Sequence, residues 1–587
     1  MGVKEKKIRK REWKLREPSI GLVRELSQET GLSELTIKVC VNRGLDTKEL
    51  IERFFAPKLS DLTHPFEIED MEKAIDRLVL AKEKGQKVRV FGDYDVDGTS
   101  GAALLSWTLR EYGFSYDATQ PDRFKDGYGL NINAVEQAAK DGIHLLVTVD
   151  CGITNFDQVD RANELGLDVI IVDHHQLDPK KGCPNAFAVV NPQRPDCASG
   201  LTMLCGCGLA FYVAMGLRMR ARSLGWFESI AEPNLKSHLD LVVVATAADL
   251  VPLVGDNRIL VAQGLRVLKE TQKPGLKALM DVTGLTEKTL SPGHLGFTLG
   301  PRINASGRMQ NANVALELLT TQDRMTGLKL AYDLEKMNEE RMATQDEIWD
   351  EVKAQVDAGD EKGIFEHAIV VSNSGWHEGV VGIVASRVTE TYHRPAIILS
   401  IHDGKAKGSA RTFAGKDVLE GIRQCSDLLT SFGGHRHAAG LSLPEENILD
   451  FQKKFNEVMS FISEQAHERP IWLEGITEIS EFNLKTLSEI EQMGPFGPGN
   501  TEPVFSVEAK MLSQRVLKER HLKMKLGDSK ASIEAIYFHG AERSFLGRDE
   551  NNLIKARWAV VPEINRFRGN VTPTLRVRDF QKEEKSE

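Results

Sequence analysis

From about Lys73 onwards, short apolar runs alternate with longer amphipathic segments. The first run predicts a strand over residues 88–91, and the segment after it predicts a helix over residues 98–112. The pattern continues with two further helix and strand pairs, predicted over residues 133–140 and 144–149 and over residues 156–165 and 168–172. Strands that alternate with helices form parallel sheets covered on both faces, so the predicted fold class is α/β.

Acidic and histidine residues follow four of the apolar runs. In chain order these groups are Asp93, Asp95 and Asp97 in the run VRVFGDYDVDGTSG, then Asp150, then Asp173-His174-His175, and finally Asp249. The fourth run, residues 239–248, is interpreted as a strand that ends at Asp249, in the same way that the other three runs end at acidic groups. Because the carboxyl ends of parallel strands meet at one edge of the sheet, we expect the four groups to lie together. A helix cap or a solvated turn explains any one group alone, but not all four.

The chemistry of these side chains favours divalent metal ions. Oxygen-rich ligands with one or two imidazoles suit Mn²⁺ or Mg²⁺ better than they suit structural zinc. The groups contain more carboxylates than one ion needs, so we expect two ions. Two-metal sites activate water and stabilise both oxygens in a phosphodiester displacement. The predicted chemistry is therefore hydrolysis of a phosphate ester.

Composition indicates a globular protein of several domains, with 587 residues of which 41% are apolar and 27% charged. No apolar run approaches the ~20 residues of a membrane span, and the N-terminal run MGVKEKKIRKREWKLRE lacks the apolar core of a secretory signal. We therefore expect a cytoplasmic protein with a basic N-terminal arm and no membrane partner. The net charge of −10 means that any surface for nucleic acid must be local.

Seven cysteines fit a reducing compartment. Four of them, Cys183, Cys197, Cys205 and Cys207, lie close together in the sequence, so a zinc site is an alternative. Their spacings match no common zinc pairing, and the favoured interpretation is buried thiols beside a packed helix.

Two further regions follow the predicted metal site. Residues 313–356 predict one long, strongly charged and solvated helix that connects to a second α/β region over residues 365–443. In that region, Gly433, Gly434 and His435 are predicted in a turn before a strand, where backbone N–H groups can approach an anion. His377, Ser409, Arg411 and His435 are accordingly candidates for holding phosphates. A local backbone hydrogen bond is an equal alternative for His377.

The C-terminal region predicts a small closed β-barrel from about Arg469, with short alternating strands that carry basic residues. Residues 505–580 contain 15 Lys or Arg and 9 Asp or Glu, a local net charge of +6. Four aromatic residues, Tyr537, Phe538, Trp558 and Phe567, lie among these charges. An OB-fold that binds single-stranded DNA by stacking and by backbone electrostatics fits this pattern. The alternative is that the aromatic residues form the core of the barrel.

The motifs together resemble the DHH phosphoesterase family, and in particular its RecJ branch of single-strand exonucleases. The resemblance runs from about Lys73 to Phe580 and rests on GDYDVDG, PDRFKDGYGLN, VTVDCG, VDHH, ATAADLVPL, LGPRINASGR, WHEGVVGIVASR, KGSART, FGGHRHAAG and GPFGPGNTEPVF. It implies a 5′→3′ exonuclease that degrades single-stranded DNA to 5′-mononucleotides in repair and recombination. The implied partners are single-stranded DNA with a 5′ end, a single-strand-binding protein and a helicase, and the chain is expected to be a monomer.

The resemblance also implies a domain order. The expected segments are an N-terminal helical and basic segment (1–50), a DHH catalytic domain (51–312), the connecting helix (313–356), a DHHA1-type substrate-binding domain (357–445), a linker and OB-fold (446–580), and a charged tail (581–587).

The resemblance assigns roles to individual residues. Ligation of two Mn²⁺ or Mg²⁺ ions is expected of Asp95, Asp97, Asp150, His174 and Asp249. Orientation of ligands or proton transfer is expected of Asp173 and His175, and Asp93 is either a ligand or a partner of one. Substrate binding is expected of Arg123, Arg308, Ser409, Arg411, Gly434 and His435. Tyr128 is a further candidate for contact with the nucleotide, and Arg302 is expected to be a structural partner.

Two other functions are alternatives to the exonuclease. The first is a DHH phosphodiesterase for short oligonucleotides or cyclic dinucleotides, which would not need a basic C-terminal barrel. The second is a non-catalytic replication scaffold, which would lack metal ligands, whereas this chain has every expected carboxylate and both histidines. Cys151 follows Asp150 at a position where relatives can have polar residues, and the Cys205-Gly-Cys207 segment lies in an otherwise familiar glycine turn. Neither departure is expected to abolish metal binding.

Overall fold

The computed structural model describes residues 11–127, 129–462, 470–541, 555–567 and 569–582. The chain divides into two compact units. Unit 1 is drawn from Met1–Asp61, Pro252–Ala262 and Glu468–Glu587, and unit 2 from Leu62–Val251 and Gln263–His467. Each unit therefore combines stretches that are far apart in the sequence, whereas each predicted domain is one continuous segment. Among the helices of these described residues, none has both the length and the apolar character needed to cross a membrane.

The N-terminal part of unit 1 is helical, as predicted. Its elements are β1 (Trp13–Leu15), α1 (Ile20–Thr30), α2 (Glu34–Asn42) and α3 (Lys48–Phe55). Ser33 and Thr47 begin α2 and α3, because each side chain accepts a hydrogen bond from a backbone N–H of the first turn. Buried apolar side chains of these helices share one hydrophobic core with the C-terminal barrel.

Unit 2 begins with the predicted parallel sheet. Its elements are α4 (Met71–Glu83), β2 (Val88–Gly92), α5 (Val96–Glu111), β3 (Tyr116–Thr119), α6 (Ile132–Lys140), β4 (Leu145–Val149), α7 (Phe156–Glu164), β5 (Asp168–Val172) and β6 (Ala188–Val190). The strand order is β3-β2-β4-β5-β6, and every neighbouring pair is parallel. The α/β prediction is thus confirmed. The pattern did not predict α4 or the short strands β3 and β6.

A set of helices follows the sheet. They are α8 (Gly206–Ser223), α9 (Leu239–Ala248), α10 (Gly255–Lys269), α11 (Pro274–Val282), α12 (Pro292–His294), α13 (Gly300–Met309), α14 (Asn313–Thr320) and α15 (Arg324–Glu361). The prediction that residues 239–248 form a strand was wrong, because this run is α9. Every residue from Leu239 to Ala247 is buried, and a helix that is apolar all round has no periodicity that separates it from a buried strand.

The predicted long helix is present as α15, but it begins at Arg324 instead of residue 313 and is not solvated on all sides. The segment contains two helices, α14 and α15, and Asp323 starts the second by accepting a hydrogen bond from the Thr326 N–H at 2.7 Å. Side chains on one side of α15 are buried, and Leu334 and Val352 are two of them. The charges of α15 therefore cover only its exposed side.

The second half of unit 2 is a mixed sheet with helices. Its elements are β7 (Ile369–Asn373), α16 (Glu378–Tyr392), β8 (Ala396–His402), β9 (Lys405–Arg411), α17 (Val418–Arg423), β10 (Ser431–His435), β11 (Ala438–Pro444) and α18 (Ile448–Phe461). The strand order is β10-β11-β9-β8-β7. Gly433, Gly434 and His435 lie in β10 itself, not in the predicted turn before a strand. A Cβ at Gly434 would lie 2.5 Å from the carbonyl oxygen of Ala438, so glycine is what lets β11 pair so closely here.

The C-terminal part of unit 1 contains the predicted barrel. Its elements are β12 (Ile471–Leu473), β13 (Ile476–Thr477), α19 (Leu484–Gln492), β14 (Phe505–Leu517), β15 (His521–Gly527), β16 (Ser532–Tyr537), β17 (Lys555–Phe567) and β18 (Asn570–Lys582). Strands β14 to β18 close on themselves through the β14–β17 and β16–β18 pairings, which confirms an OB-type barrel. Trp558 is buried in its core, whereas Phe538 and Phe567 are exposed. The core interpretation is therefore correct for Trp558, whereas stacking of Phe538 and Phe567 on DNA stays a prediction.

Candidate active site

The loop after β2 carries the first acidic group. Asp95 begins α5, and its Oδ1 accepts hydrogen bonds from the N–H groups of Asp97 at 2.9 Å and Gly98 at 3.1 Å. Asp93 is buried, and its carbonyl oxygen accepts a hydrogen bond from the Gln120 side chain. The turn between strand and helix therefore fixes the carboxylate of Asp95 and the backbone of Asp93.

Asp97 is held by the N-terminus of α8. Its Oδ2 accepts the Gly206 N–H at 2.6 Å, and its Oδ1 accepts the Cys207 N–H at 2.8 Å. The helix dipole favours a negative charge at this position. Gly206 also allows a close approach, because a Cβ there would lie 2.6 Å from the Cβ of Asp150. Sequence reasoning missed this role, although the run Cys205-Gly-Cys-Gly before an apolar helix marks the position.

The second and third groups follow β4 and β5. Asp150 has a φ of 63°, in the left-handed region where a residue with a side chain is uncommon. Asp173 accepts hydrogen bonds from the Ile153 N–H at 3.0 Å and from Nδ1 of His175 at 2.7 Å. Asp173 thus fixes the orientation of the His175 ring, as a carboxylate does for many metal-bound imidazoles.

His174 lies at the centre of the cluster. Its Nε2 is 3.1 Å from Asp150 Oδ1, 3.7 Å from Asp97 Oδ2 and 3.8 Å from Asp249 Oδ2. Asp249 follows α9, so a helix brings the fourth acidic group to the edge where the strands bring the other three. All the residues of the predicted metal cluster therefore converge.

The ligand atoms form three overlapping groups in which all atoms lie within 4.8 Å of one another. These groups are Asp93, Asp95 and Asp150; Asp97, His174 and Asp249; and Asp150, His174 and His175. Asp150 and His174 each belong to two groups. This overlap suits two ions that share ligands.

The carboxylates repel one another in a buried setting. Burial and the charge of Asp95 raise the pKa of Asp93 to about 8. Burial and the charges of Asp97 and Asp95 raise the pKa of Asp249 to about 8, and the pKa of Asp150 is raised well above its usual value for the same reasons. Burial alone would lower the pKa of His175, but its hydrogen bond with Asp173 and the nearby carboxylates raise it to about 9. The cluster thus contains more carboxylates than its own positive charge can neutralise.

The residues present fit hard divalent cations. Within the described residues, Asp93 Oδ1 and Asp249 Oδ2 are buried without a hydrogen-bond partner, which is costly unless a ligand supplies the missing interaction. The donors are carboxylate oxygens and imidazole nitrogens, the set expected for Mn²⁺ or Mg²⁺.

No cysteine contributes to a metal-ligand group in the part of the chain that the structure describes. Cys205 instead begins α8 by accepting the Gly208 N–H, and Cys207 is buried in the first turn of that helix. Burial raises the pKa of Cys151 well above its usual value, so this thiol stays protonated. The structure favours packed thiols over a zinc site.

A cluster of arginines lies beside the acidic cluster. The guanidinium of Arg123 stacks over Tyr94, the residue between Asp93 and Asp95, at 4.5 Å from the ring centre. Burial and the charges of Arg123 and Arg341 lower the pKa of Arg308 to about 10. Burial and the charge of Arg123 likewise lower the pKa of Arg411. We call Arg123, Arg308 and Arg411 the arginine pocket. Its positive charges repel one another, as the carboxylates of the acidic cluster do.

The second sheet supplies the other predicted substrate residues. Arg411 donates a hydrogen bond to Ser409 Oγ at 2.7 Å. Across three strands, Arg411, Ala438 and His435 are in register, so their side chains lie on one face of the sheet. Gly434 is the residue before His435 in the same edge strand.

Three other predicted residues are placed as follows. His377 begins α16 with its Nδ1 accepting the Gly379 N–H at 3.1 Å, and its ring meets Phe124 edge to face at 5.6 Å. The local hydrogen bond, one of the two alternatives, is therefore present. Arg302 forms an ion pair with Glu335, as expected for a structural partner. Tyr128 lies outside the described residues.

Family models match three parts of the chain. Residues 87–246 match the N-terminal domain of the DHH family, residues 366–460 match the DHHA1 domain, and residues 473–579 match the RecJ OB domain. These matches confirm the predicted fold class with its three kinds of domain.

Several curated proteins are similar over most of their length. The single-stranded-DNA-specific exonuclease RecJ of Haemophilus influenzae is 38% identical over 87% of this chain and 90% of its own length. RecJ of Escherichia coli is 34% identical over 92% of this chain and 94% of its own length. Among solved structures, RecJ of Thermus thermophilus in complex with Mn²⁺ covers 98% of this chain and 80% of that chain, with 27% identity and a TM-score of 0.80.

Proposed function

Because this chain belongs to the RecJ family of DHH phosphoesterases, we propose that it is a metal-dependent exonuclease acting on single-stranded DNA. One observation carries the proposal. A cluster of mostly buried carboxylates and a cluster of partly buried arginines meet at Tyr94. Metal ions and a DNA phosphate are the two ligands whose charges complete these clusters.

Two Mn²⁺ or Mg²⁺ ions would be held by Asp95, Asp97, Asp150, His174 and Asp249. Asp93 joins this set in the proposal, because its Oδ1 lacks a hydrogen-bond partner within the described residues and its carboxylate lies in one ligand group. When bound, the ions activate water and stabilise the attacking and leaving oxygens of the phosphodiester.

Contacts within the chain hold the side chains of the proposed metal site in position for that reaction. Asp173 holds His175 through the 2.7 Å hydrogen bond, so that His175 orients ligands or passes a proton to the leaving oxygen. The N-terminus of α8 holds Asp97 from behind. Both contacts keep the ligands in position before the substrate arrives.

The arginine pocket would bind the terminal 5′ phosphate of the strand, with Arg123, Arg308 and Arg411 as donors and Ser409, Gly434 and His435 beside them. A guanidinium offers a fork of donors that matches phosphate oxygens. Because the pocket adjoins the acidic cluster, a strand gripped by its 5′ end would place one fixed phosphodiester at the metals. This arrangement predicts 5′→3′ direction and release of 5′-mononucleotides.

The family supports a wider proposal about context. We infer that the chain acts in DNA repair and recombination, with a single-strand-binding protein and a helicase as partners, and that it works as a monomer. The OB-type barrel would hold the strand away from its 5′ end through its basic residues.

The direct test is digestion of single-stranded DNA labelled at either end, with Mn²⁺, Mg²⁺ or a chelator. We expect label at the 5′ end to be released first, as a mononucleotide, and chelator to stop the reaction. Release of the 3′ label first, or activity unaffected by chelator, would contradict the proposal. Equal rates on a dinucleotide and on a long strand would instead favour a small-substrate phosphodiesterase.

A further inference from the structure

Phe297 is an aromatic residue to which the proposed reaction assigns no role. It is 83% exposed, more than any other large apolar side chain in the described residues. An apolar ring left in water forgoes the stabilisation that burial would give it. A ring this exposed beside a reaction centre is therefore a candidate for contact with substrate.

The local backbone anchors the segment that carries Phe297 beside the end of α9, just before Asp249. Leu295–Leu299 form a turn of π-helix between α12 and α13, a rare conformation that is frequent at functional sites. Leu295 and Leu299 are buried, and Gly296 packs so closely that a Cβ there would lie 3.0 Å from the carbonyl oxygen of Ala247. Ala247 is two residues before Asp249, so the turn is anchored next to a predicted metal ligand.

Leu250 is a second exposed apolar residue at the same edge. It directly follows Asp249, is 62% exposed, and has a φ of 58°. The left-handed conformation is costly for leucine and tends to persist where function maintains it. Phe297 and Leu250 thus lie on two segments that are anchored to each other beside Asp249.

We propose that Phe297 and Leu250 form an apolar contact surface for nucleobases of the strand at the metal site, with Phe297 stacking on one base. This inference rests on the proposed function. Every base has a π face, so stacking supplies affinity without sequence preference, as a nuclease that must process any strand requires. The surface would also hold the nucleotide so that its phosphodiester stays at the metals.

The test compares Phe297→Ala, Phe297→Trp and the matched control Phe461→Ala. Phe461 is 82% exposed on α18 in the same unit, so the control removes an equally exposed ring. Binding is measured in chelator with single strands that carry 2-aminopurine at successive positions from the 5′ end. We expect wild type and Phe297→Trp to quench fluorescence at one position, and Phe297→Ala to lose that quenching and roughly 10-fold of its affinity. Leu250→Asn, which tolerates a positive φ, should weaken binding less.

A second measurement uses the wild-type chain and strands with one abasic nucleotide. We expect slower hydrolysis when the abasic nucleotide occupies the quenched position, and no added effect in Phe297→Ala. The inference is overturned if Phe297→Ala quenches, binds and cleaves as wild type does, or if no abasic position slows the wild type. Failure of the wild type to cleave any single strand would instead overturn the proposed function.

Discussion

The acidic cluster is mostly buried and the arginine pocket is partly buried. The two groups have opposite charge, and neither is neutralised by its own residues. Burial and repulsion between carboxylates raise the pKa values of Asp93 and Asp249 to about 8, whereas burial and neighbouring arginines lower the pKa of Arg308 to about 10. Buried charges of one sign destabilise a fold unless a partner neutralises them. The comparison shows two groups of like charges, each of which destabilises the fold until a ligand neutralises it. Cations would neutralise the acidic cluster, and an anion would neutralise the arginine pocket.

The two clusters also differ in construction. The acidic cluster comes from the ends of three neighbouring parallel strands and one helix. The arginine pocket comes from a loop, from α13 and from β9, which are far apart in the sequence. The first can be inferred from a repeating pattern, whereas the second depends on how two halves of unit 2 fold together.

The largest effect is expected from removing a charge at the centre of the acidic cluster. Asp150→Asn takes a charge from a residue that belongs to two ligand groups. We expect a loss of activity greater than the ~10- to 100-fold cost of losing a residue that only orients a ligand. Calorimetry should show weaker Mn²⁺ binding. The exposed Asp160→Asn on α7 is the control, and equal activity in both variants would disprove the central role of Asp150.

The next effect tests whether α8 shapes the acidic cluster. In Gly206→Ala the new Cβ would lie 2.6 Å from the Cβ of Asp150, whereas in Gly208→Ala it would lie 3.4 Å from Leu204, an ordinary contact. We therefore expect Gly206→Ala to lose ~10- to 100-fold of activity and metal affinity through displaced ligands, and Gly208→Ala to stay near wild type. If the two variants behave alike in kinetics and Mn²⁺ titration, the close approach does not matter.

A smaller effect is expected in the arginine pocket. Arg411→Gln removes a charged donor, which should cost about 1.5–3 kcal/mol of binding to a 5′-phosphorylated strand. The preference for a 5′ phosphate over a 5′ hydroxyl should shrink with it, while Mn²⁺ affinity stays unchanged. Lys405→Gln, at the exposed start of the same strand, is the control. A fall in Mn²⁺ affinity in Arg411→Gln would show that the two clusters do not have separate ligands.

The smallest effect concerns stability in the absence of metal. The folded-state pKa of Asp249 is about 8, above its usual value of 3.8, so the folded state binds more protons than the unfolded state between these pH values. Its contribution is fully present below pH ~4 and is lost as pH rises through ~8. Thermal unfolding in chelator should show a Tm that falls over this range, and Asp249→Asn should reduce the slope. The prediction would be contradicted if the Tm of the wild type rose with pH while that of Asp249→Asn did not.

The sequence predicted the acidic cluster because its residues follow a rule of position. Asp150 and Asp173 come after strands of a parallel sheet, and the edge they share follows from the fold class. Asp249 was found by the same pattern although the structure shows a helix before it. That residue was therefore predicted for a partly wrong reason, since a fully buried run looks the same as strand and as helix.

Other contacts left no periodic signal. The hydrogen bonds from Gly206 and Cys207 to Asp97 join residues more than 100 positions apart, and only the packing of α8 on α5 brings them together. The exposed ring of Phe297 likewise looks like an ordinary helix residue in the sequence. Its significance depends on the π-helical turn and on the contact of Gly296 with Ala247.

The sequence by itself determined the parallel sheet, the acidic edge, the basic barrel and the identity of the ligand-type residues. These features follow from local patterns, because strand ends, helix starts and alternation are encoded by neighbours in the chain. The tertiary structure alone decided which carboxylates and histidines lie close together, how α8 supports Asp97, and how Arg123, Arg308 and Arg411 gather near Tyr94. Such contacts join distant segments, and their geometry exists only after the segments have packed.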